Sequence, residues 1–245
     1  MRLDVYLTEH GYVSSRTEAK GLIVSSAVTV DGKTVTKPSF DIPEGSSPSV
    51  VADTSIKKYV SRGGIKLEAA LDAFSVSVEG RFALDVGASS GGFTDCLLKR
   101  GAARVTAVDS GTAQLVRSLR EDERVTVKDS FNARYMTAKD IAYAPDIAVM
   151  DVSFISATLI IPAVYSVLKP GADFICLVKP QFEVGRANIG KGGIVKNEKA
   201  REEALLGVIS FAKSVGFLDL GSIRSPIEGG DGNIEYLIHL RKPAE

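Results

Sequence analysis

ALDVGASSGG at 83–92, then a short amphipathic stretch, then RVTAVDS at 104–110, reads as a strand, a glycine-rich turn, a helix and a second strand ending on an acid. This is the layout of a nucleotide-type cofactor site. Gly87, Gly91 and Gly92 let the backbone approach a ligand closely, and Asp109 falls where a ribose diol needs an acceptor. A dinucleotide fingerprint has the spacing G-x-G-x-x-G. Here Asp85 precedes the first glycine by two and Ser89 stands in place of the middle glycine, which favours S-adenosylmethionine over NAD. The candidate cofactor residues are Asp85, Gly87, Ala88, Ser89, Gly91, Gly92, Phe93 and Asp109.

Outward from this turn, strands and helices alternate. Strands are predicted at 82–86, 104–108, 125–127, 147–150, 174–178, 217–223 and 234–240, and helical periodicity covers 158–168 and 198–215. Such alternation predicts an α/β fold with a seven-stranded, mostly parallel sheet covered on both faces. The last two strands are joined by 225–233, too short for a crossover helix, so the final strand inserts antiparallel.

The first forty residues form a separate pattern. Leu3, Val5 and Leu7 open a helix ending near Gly11, and Ser15 to Glu18 reads as a capping box before Ala19, Leu22 and Ile23. Asp31-Gly32 between short alternating segments signals a hairpin. So small an α+β unit needs further strand pairing from 38–51. The segment 56–66 carries Lys57, Lys58, Arg62 and Lys66 and no acid, with Gly63-Gly64 as a hinge. The expected organisation is a small domain at 1–55, a basic linker at 56–65 and the cofactor domain at 66–245.

Composition excludes more than it assigns. Thirty basic residues balance thirty acidic ones, so whole-chain charge points to no nucleic-acid partner. Cys96 and Cys176 sit in apolar patterns without metal-ligand spacing, so no metal site and no disulfide are expected. No signal sequence opens the chain, and the apolar run at 157–168 is too short to span a bilayer. The expectation is a cytoplasmic protein, a monomer or weak oligomer.

Ligands of open α/β sheets lie at the carboxyl ends of the strands. Besides the glycine turn, that rule selects Asp129, Asp151 with Val152-Ser153-Phe154, and Lys179 with Pro180-Gln181-Phe182. Asp129 could accept from an adenine amino group or cap a helix. Asp151 and Lys179 each follow a buried apolar strand, where an ionisable group is costly unless paired, and each could pair with the other. Glu235 adds a third such group, and Lys66 could supply a fourth. Two lysines and two carboxylates around one hydroxyl suit proton removal by a lysine while the carboxylates hold the array. Methyl transfer from a sulfonium then needs in-line placement above all.

Several motifs carry a resemblance: YVSRGGIKL at 59–67, DVGASSGGFTD at 85–95, MDVSFIS at 150–156, KPQFEVGR at 179–186, GKGGIVKN at 190–197 and GNIEYLIHLRK at 232–242. In this order they resemble the TlyA family of bacterial ribosomal RNA methyltransferases, and residues 2–38 resemble that family's S4-like RNA-binding domain. The resemblance implies a Rossmann-like methyltransferase domain of the FtsJ/RrmJ type, using S-adenosylmethionine to methylate ribose 2′-hydroxyls with a Lys-Asp-Lys-Glu tetrad. The matching positions are Lys66, Asp151, Lys179 and Glu235, with Lys179 as the base; Asp151 also borders the cofactor. The implied substrate is a cytidine of 23S ribosomal RNA, and in one subgroup of 16S as well. The short chain ends resemble the subgroup acting on the large subunit alone. Ser110 departs from the family pattern, which has a branched apolar residue there.

Residues 1–37 hold five basic and four acidic side chains, so RNA contacts must come from a local face. Arg2, Ser15, Arg16 and Lys20, joined by Lys57, Lys58 and Arg62, are the candidates, suited to shape recognition of folded RNA. The segment 182–196, with Arg186 and Lys191 among four glycines, reads as a mobile flap over the target nucleotide. Three rivals remain. Gly87 to Gly91 matches a G-x-S-x-G nucleophile elbow, with Ser89, Asp151 and His239 in hydrolase order, although His239 falls inside a strand pattern. A membrane-active cytolysin fits a name borne by TlyA-like proteins, but no amphipathic basic helix supports it. A non-catalytic RNA-binding protein is opposed by the intact tetrad.

Overall fold

The computed structural model describes residues 1–24, 27–43, 45–53, 58–230 and 232–244. Contacts divide the chain into two units, Met1–Arg62 and Gly63–Glu245.

In the first unit, α1 (Leu3–Glu9) packs on α2 (Arg16–Val24) through Leu3, Leu7, Ala19, Leu22 and Ile23, all buried. The Ser15 hydroxyl accepts the Glu18 N–H at 3.2 Å, and Glu18 in turn receives the Ser14 N–H and hydroxyl. The expected hairpin is β1 (Val28–Val30) with β2 (Lys33–Thr34). Asp31 and Gly32 both have positive φ, the requirement of a type I′ turn. A third strand, β3 (Val50–Ala52), pairs antiparallel with β1 and enlarges the small sheet.

Helix α3 (Gly63–Ala73) opens the second unit. Gly63 and Gly64 thus form the first turn of a helix, where the sequence suggested a hinge; Leu67, Ala70 and Leu71 bury its inner face. Then come β4 (Phe82–Val86), α4 (Gly92–Lys99), β5 (Arg104–Val108), α5 (Arg117–Arg120), β6 (Val125–Lys128), β7 (Ile147–Met150), α6 (Ile161–Val167), β8 (Asp173–Val178), α7 (Pro180–Glu183), α8 (Glu198–Val215), β9 (Leu218–Arg224) and β10 (Tyr236–Arg241). The sheet order is β6-β5-β4-β7-β8-β10-β9, parallel up to β8, with β10 antiparallel to both of its neighbours. Strands β7 and β8 are buried throughout, as expected of strands covered on both faces.

The predicted alternation fails in one place. The β6 to β7 connection carries two 3-10 turns and no α-helix, because Met136 and Ile141 anchor it to the core singly, without a periodic apolar face. Cys96 and Cys176 are both buried. Among the described residues no helix is long and apolar enough to cross a membrane, and no group of side chains could hold a metal ion.

Candidate active site

The carboxyl ends of β4, β5, β7 and β8 gather the predicted chemistry. After β4 the chain turns at Gly87, with φ of 82°, and a Cβ there would collide with the Asp151 carbonyl oxygen. Glycine at 87 thus lets the cofactor turn lie directly against the end of β7. Gly91, with φ of 101°, caps α4, and the space a side chain would need is filled by Leu115 and Leu119. Ala88, Gly92 and Phe93 are buried, whereas Ser89 is exposed with φ of 47°.

Asp109 holds this turn from β5. Its Oδ2 accepts the Ser89 N–H at 2.8 Å and its Oδ1 the Gly111 N–H at 2.7 Å, which leaves lone pairs on both oxygens for a diol. Asp85 is fully buried, takes the Thr94 hydroxyl at 2.6 Å on Oδ2, and has no partner on Oδ1. Burial pushes its pKa up to about 7, against the Thr94 hydrogen bond and helped by the charge of Asp151. Gly87, Ser89, Asp109, Ser110, Gln114 and residues 151–154 enclose a cavity of about 270 Å3. A glycine cradle and a diol acceptor around one cavity, with an orphaned buried carboxyl oxygen on the strand that leads into the cradle, fit S-adenosylmethionine.

Asp129 is differently occupied. Both its oxygens are held by Arg120, at 2.7 and 3.1 Å, which keeps its carboxyl below the ordinary range, and Asn132 is the residue that caps the following turn.

The tetrad forms two ion pairs. Lys179 Nζ lies 2.6 Å from Asp151 Oδ1 and donates to the Ser153 hydroxyl at 2.8 Å. Lys66, on the inner face of α3, bonds to Glu235, and both side chains are buried. Tyr236 is the register partner of Val178, so Glu235 enters the sheet beside Lys179. Phe154 completes the rim. It is 91% exposed, its φ is 64°, and its ring meets Phe182 at 5.3 Å. A bulky side chain in left-handed backbone is costly, about 1–3 kcal/mol, and such strain concentrates at functional sites.

Ser89, Asp151 and His239 do not form a hydrolytic triad. Ser89 follows the carboxyl end of β4, whereas His239 bonds at 2.8 Å to Asp173, the first residue of β8, at the sheet's opposite end. Arg81 and Arg241 also bind Asp173, which holds its carboxyl far below the usual range against the cost of burial.

In the small unit, a buried carboxylate absent from the sequence reading organises two of the candidate RNA contacts. Arg2 binds Asp4 with two nitrogens, at 2.9 and 3.1 Å, and Arg16 joins it at 3.2 Å. The hydrogen bonds of Arg2 and, against burial, of Arg16 lower the Asp4 pKa to about 2. Ser15 and Lys20 are exposed on the same helix start. Lys58 lies over the Tyr59 ring at 5.6 Å, Arg62 is half-buried, and Lys57 lies outside the described residues. Arg186 and Lys191 are exposed within a segment fixed at one end by the Ala157 N–H donating to Glu183 and at the other by Asn233 bonding Val195 and Gly193. Sequence reasoning missed Asp4, Thr94, Asn233 and the strain at Phe154; a polar residue inside an apolar helical stripe was the available signal for Asp4.

An open sheet of this order, with a glycine turn and an acid at adjacent strand ends and paired lysines and carboxylates beside them, is the scaffold of a Rossmann-like methyltransferase. The chain belongs to the FtsJ-like methyltransferase family: that family's model matches residues 59–242, and the S4 domain model matches residues 1–46. It is 42% identical over 240 residues to the 16S/23S rRNA (cytidine-2′-O)-methyltransferase TlyA of Mycobacterium tuberculosis, covering 98% of this chain and 89% of that one. It is 44% identical over 241 residues to Hemolysin A of Brachyspira hyodysenteriae, covering 98% and 99%. A solved chain from Streptococcus thermophilus described as a hemolysin superposes with a TM-score of 0.79 at 43% identity, covering 99% of this chain and 88% of that one.

Proposed function

We propose that this protein methylates the 2′-hydroxyl of a cytidine ribose in ribosomal RNA, with S-adenosylmethionine as donor. The observation that carries the reading is the placing of Lys179–Asp151 and Lys66–Glu235 at the end of the sheet that bears the cofactor turn. Bound S-adenosylmethionine supplies a methyl group on a sulfonium, which is lost to an in-line nucleophile. Asp109 accepts from the ribose diol of the cofactor, the backbone at 87–91 gives it close approach, and Asp129 with Arg120 borders the adenine side.

Lys179, once its own ammonium proton has passed to solvent, takes the proton of the 2′-hydroxyl on Nζ as the new C–O bond forms and the C–S bond of the sulfonium breaks, and Asp151 stabilises the resulting ammonium. Ser153 fixes the direction of that amine. Lys66, held by Glu235, orients the ribose. Phe154 offers an exposed ring on which a base drawn out of its stack can rest. Arg2, Arg16 and Lys20 of the small unit, Lys58 and Arg62 at its end, and Arg186 and Lys191 beside the site bind phosphates.

The test is to map ribose methylation across 23S and 16S RNA after incubating unmodified ribosomal subunits with purified protein and labelled S-adenosylmethionine. One or two labelled cytidines are expected; label on a base, or none, overturns the reading.

A further inference from the structure

We infer that Asn233 is a positioning residue that latches the segment 184–196 over the methylation site, an inference resting on the function proposed above. Asn233 is buried, and both ends of its carboxamide are used on one distant stretch: Oδ1 accepts the Val195 N–H at 3.0 Å, and Nδ2 donates to the Gly193 carbonyl at 3.0 Å. Its own backbone is pinned, because its carbonyl accepts the Gly229 N–H at 2.8 Å. Two residues further on is Glu235, the partner of Lys66.

The far end of the segment is fixed independently. Glu183 accepts the Ser156 hydroxyl at 2.6 Å and the Ala157 N–H at 2.8 Å. At the Asn233 end, Arg201 of α8 adds bonds to the carbonyls of Val195 and Lys196, at 3.0 and 2.9 Å. Between these anchors, residues 185–188 and 190–193 are exposed, Arg186 and Lys191 among them. The segment is thus tied down at both ends and open in the middle.

A neutral side chain that donates and accepts in one plane is required at 233. Aspartate lacks the donor and leucine lacks both functions. One of the residues that hold the basic segment in place therefore belongs to the same short stretch as Glu235, so the segment and the tetrad have an anchor in common.

The experiment compares the full chain with Asn233→Leu, reading tryptic cleavage after Arg186 and Lys191, KM and kcat for ribosomal RNA, and affinity for S-adenosylmethionine. Cleavage at those two sites is expected to quicken about tenfold, following the opened population. KM for RNA is expected to rise by about the same factor, with kcat changed less and cofactor affinity unchanged. A residue with a merely structural role would expose sites throughout the chain and weaken cofactor binding. A folded variant with parental cleavage and parental KM overturns the latch. Should Asn233→Leu fail to fold, Asn233→Asp, which keeps the acceptor for Val195 and loses only the donor to Gly193, decides in the same way. Failure of the underlying function shows separately, as absence of methyl transfer by the parent protein or full transfer by Lys179→Ala, and leaves the cleavage comparison standing.

Discussion

Glu235 and Lys66 are 169 residues apart in sequence and joined in a buried ion pair, with the Glu235 end delivered beside Lys179 by the β8–β10 register. A buried pair of this kind is sensitive to the loss of either member, because the survivor is left charged and unpaired. Glu235→Gln should lower stability by about 3–5 kcal/mol, read as the denaturant midpoint. The double variant Lys66→Met/Glu235→Leu should recover much of that loss while leaving methyl transfer abolished. Recovery of turnover in the double variant would assign the pair a packing role only.

Lys179→Ala removes the group proposed to take the ribose proton. Turnover should fall about 100- to 10,000-fold, the range for loss of a general base, with cofactor affinity unchanged. Single-turnover transfer of labelled methyl to ribosomal RNA measures the first, and calorimetry the second.

Phe154 contributes little to the core, being almost wholly exposed. Phe154→Ala should leave the melting temperature within a degree or two and reduce kcat/KM for RNA by about 5- to 150-fold, the equivalent of about 1–3 kcal/mol for one stacked base. Phe154→Tyr should retain activity, since the stacking face survives. Equal losses in both variants would point to backbone strain in place of stacking.

Asp4 holds Arg2 and Arg16. Its pKa is lowered, so the stabilisation it contributes is complete above about pH 4 and is lost as pH falls towards 2. At neutral pH, Arg16→Ala should weaken RNA binding and reduce the slope of log affinity against log salt by about one. An unchanged slope would remove Arg16 from the phosphate contacts.

Asp85 has the opposite sign. With its folded pKa near 7 and its ordinary value 3.8, the folded state holds a proton that the unfolded state has released. Stability should therefore fall as pH rises from about 4 to 7 and level off above. Asp85→Asn should flatten that slope, as measured by urea midpoints between pH 5 and 8.

The sheet was legible because apolar runs at β7 and β8 and alternation elsewhere differ sharply from the helical period of α8, and the glycine turn marked where the strands deliver their ligands. Asp151 and Lys179 could be found from strand ends, since an ionisable group after a buried strand needs a partner, and Glu235 from its place near the start of the last strand. Lys66 could not: it lies on a helix, and only its place among Leu67, Ala70 and Leu71 marks it as buried. Asp4, Asn233 and the Phe154 backbone were hidden for a shared reason. Their roles depend on partners far along the chain, Arg16 for Asp4 and Gly193 for Asn233, or on a local φ that composition does not encode.

The tetrad draws on α3, where the second unit starts, and on the residue just before its last strand. A chain still emerging during translation has its cofactor turn long before it has Glu235, and Lys66 waits unpaired until β10 slides in between β8 and β9. The pair thus joins the first helix of the second unit to the entry of its last strand, and closing it requires the sheet's final strand to be in place.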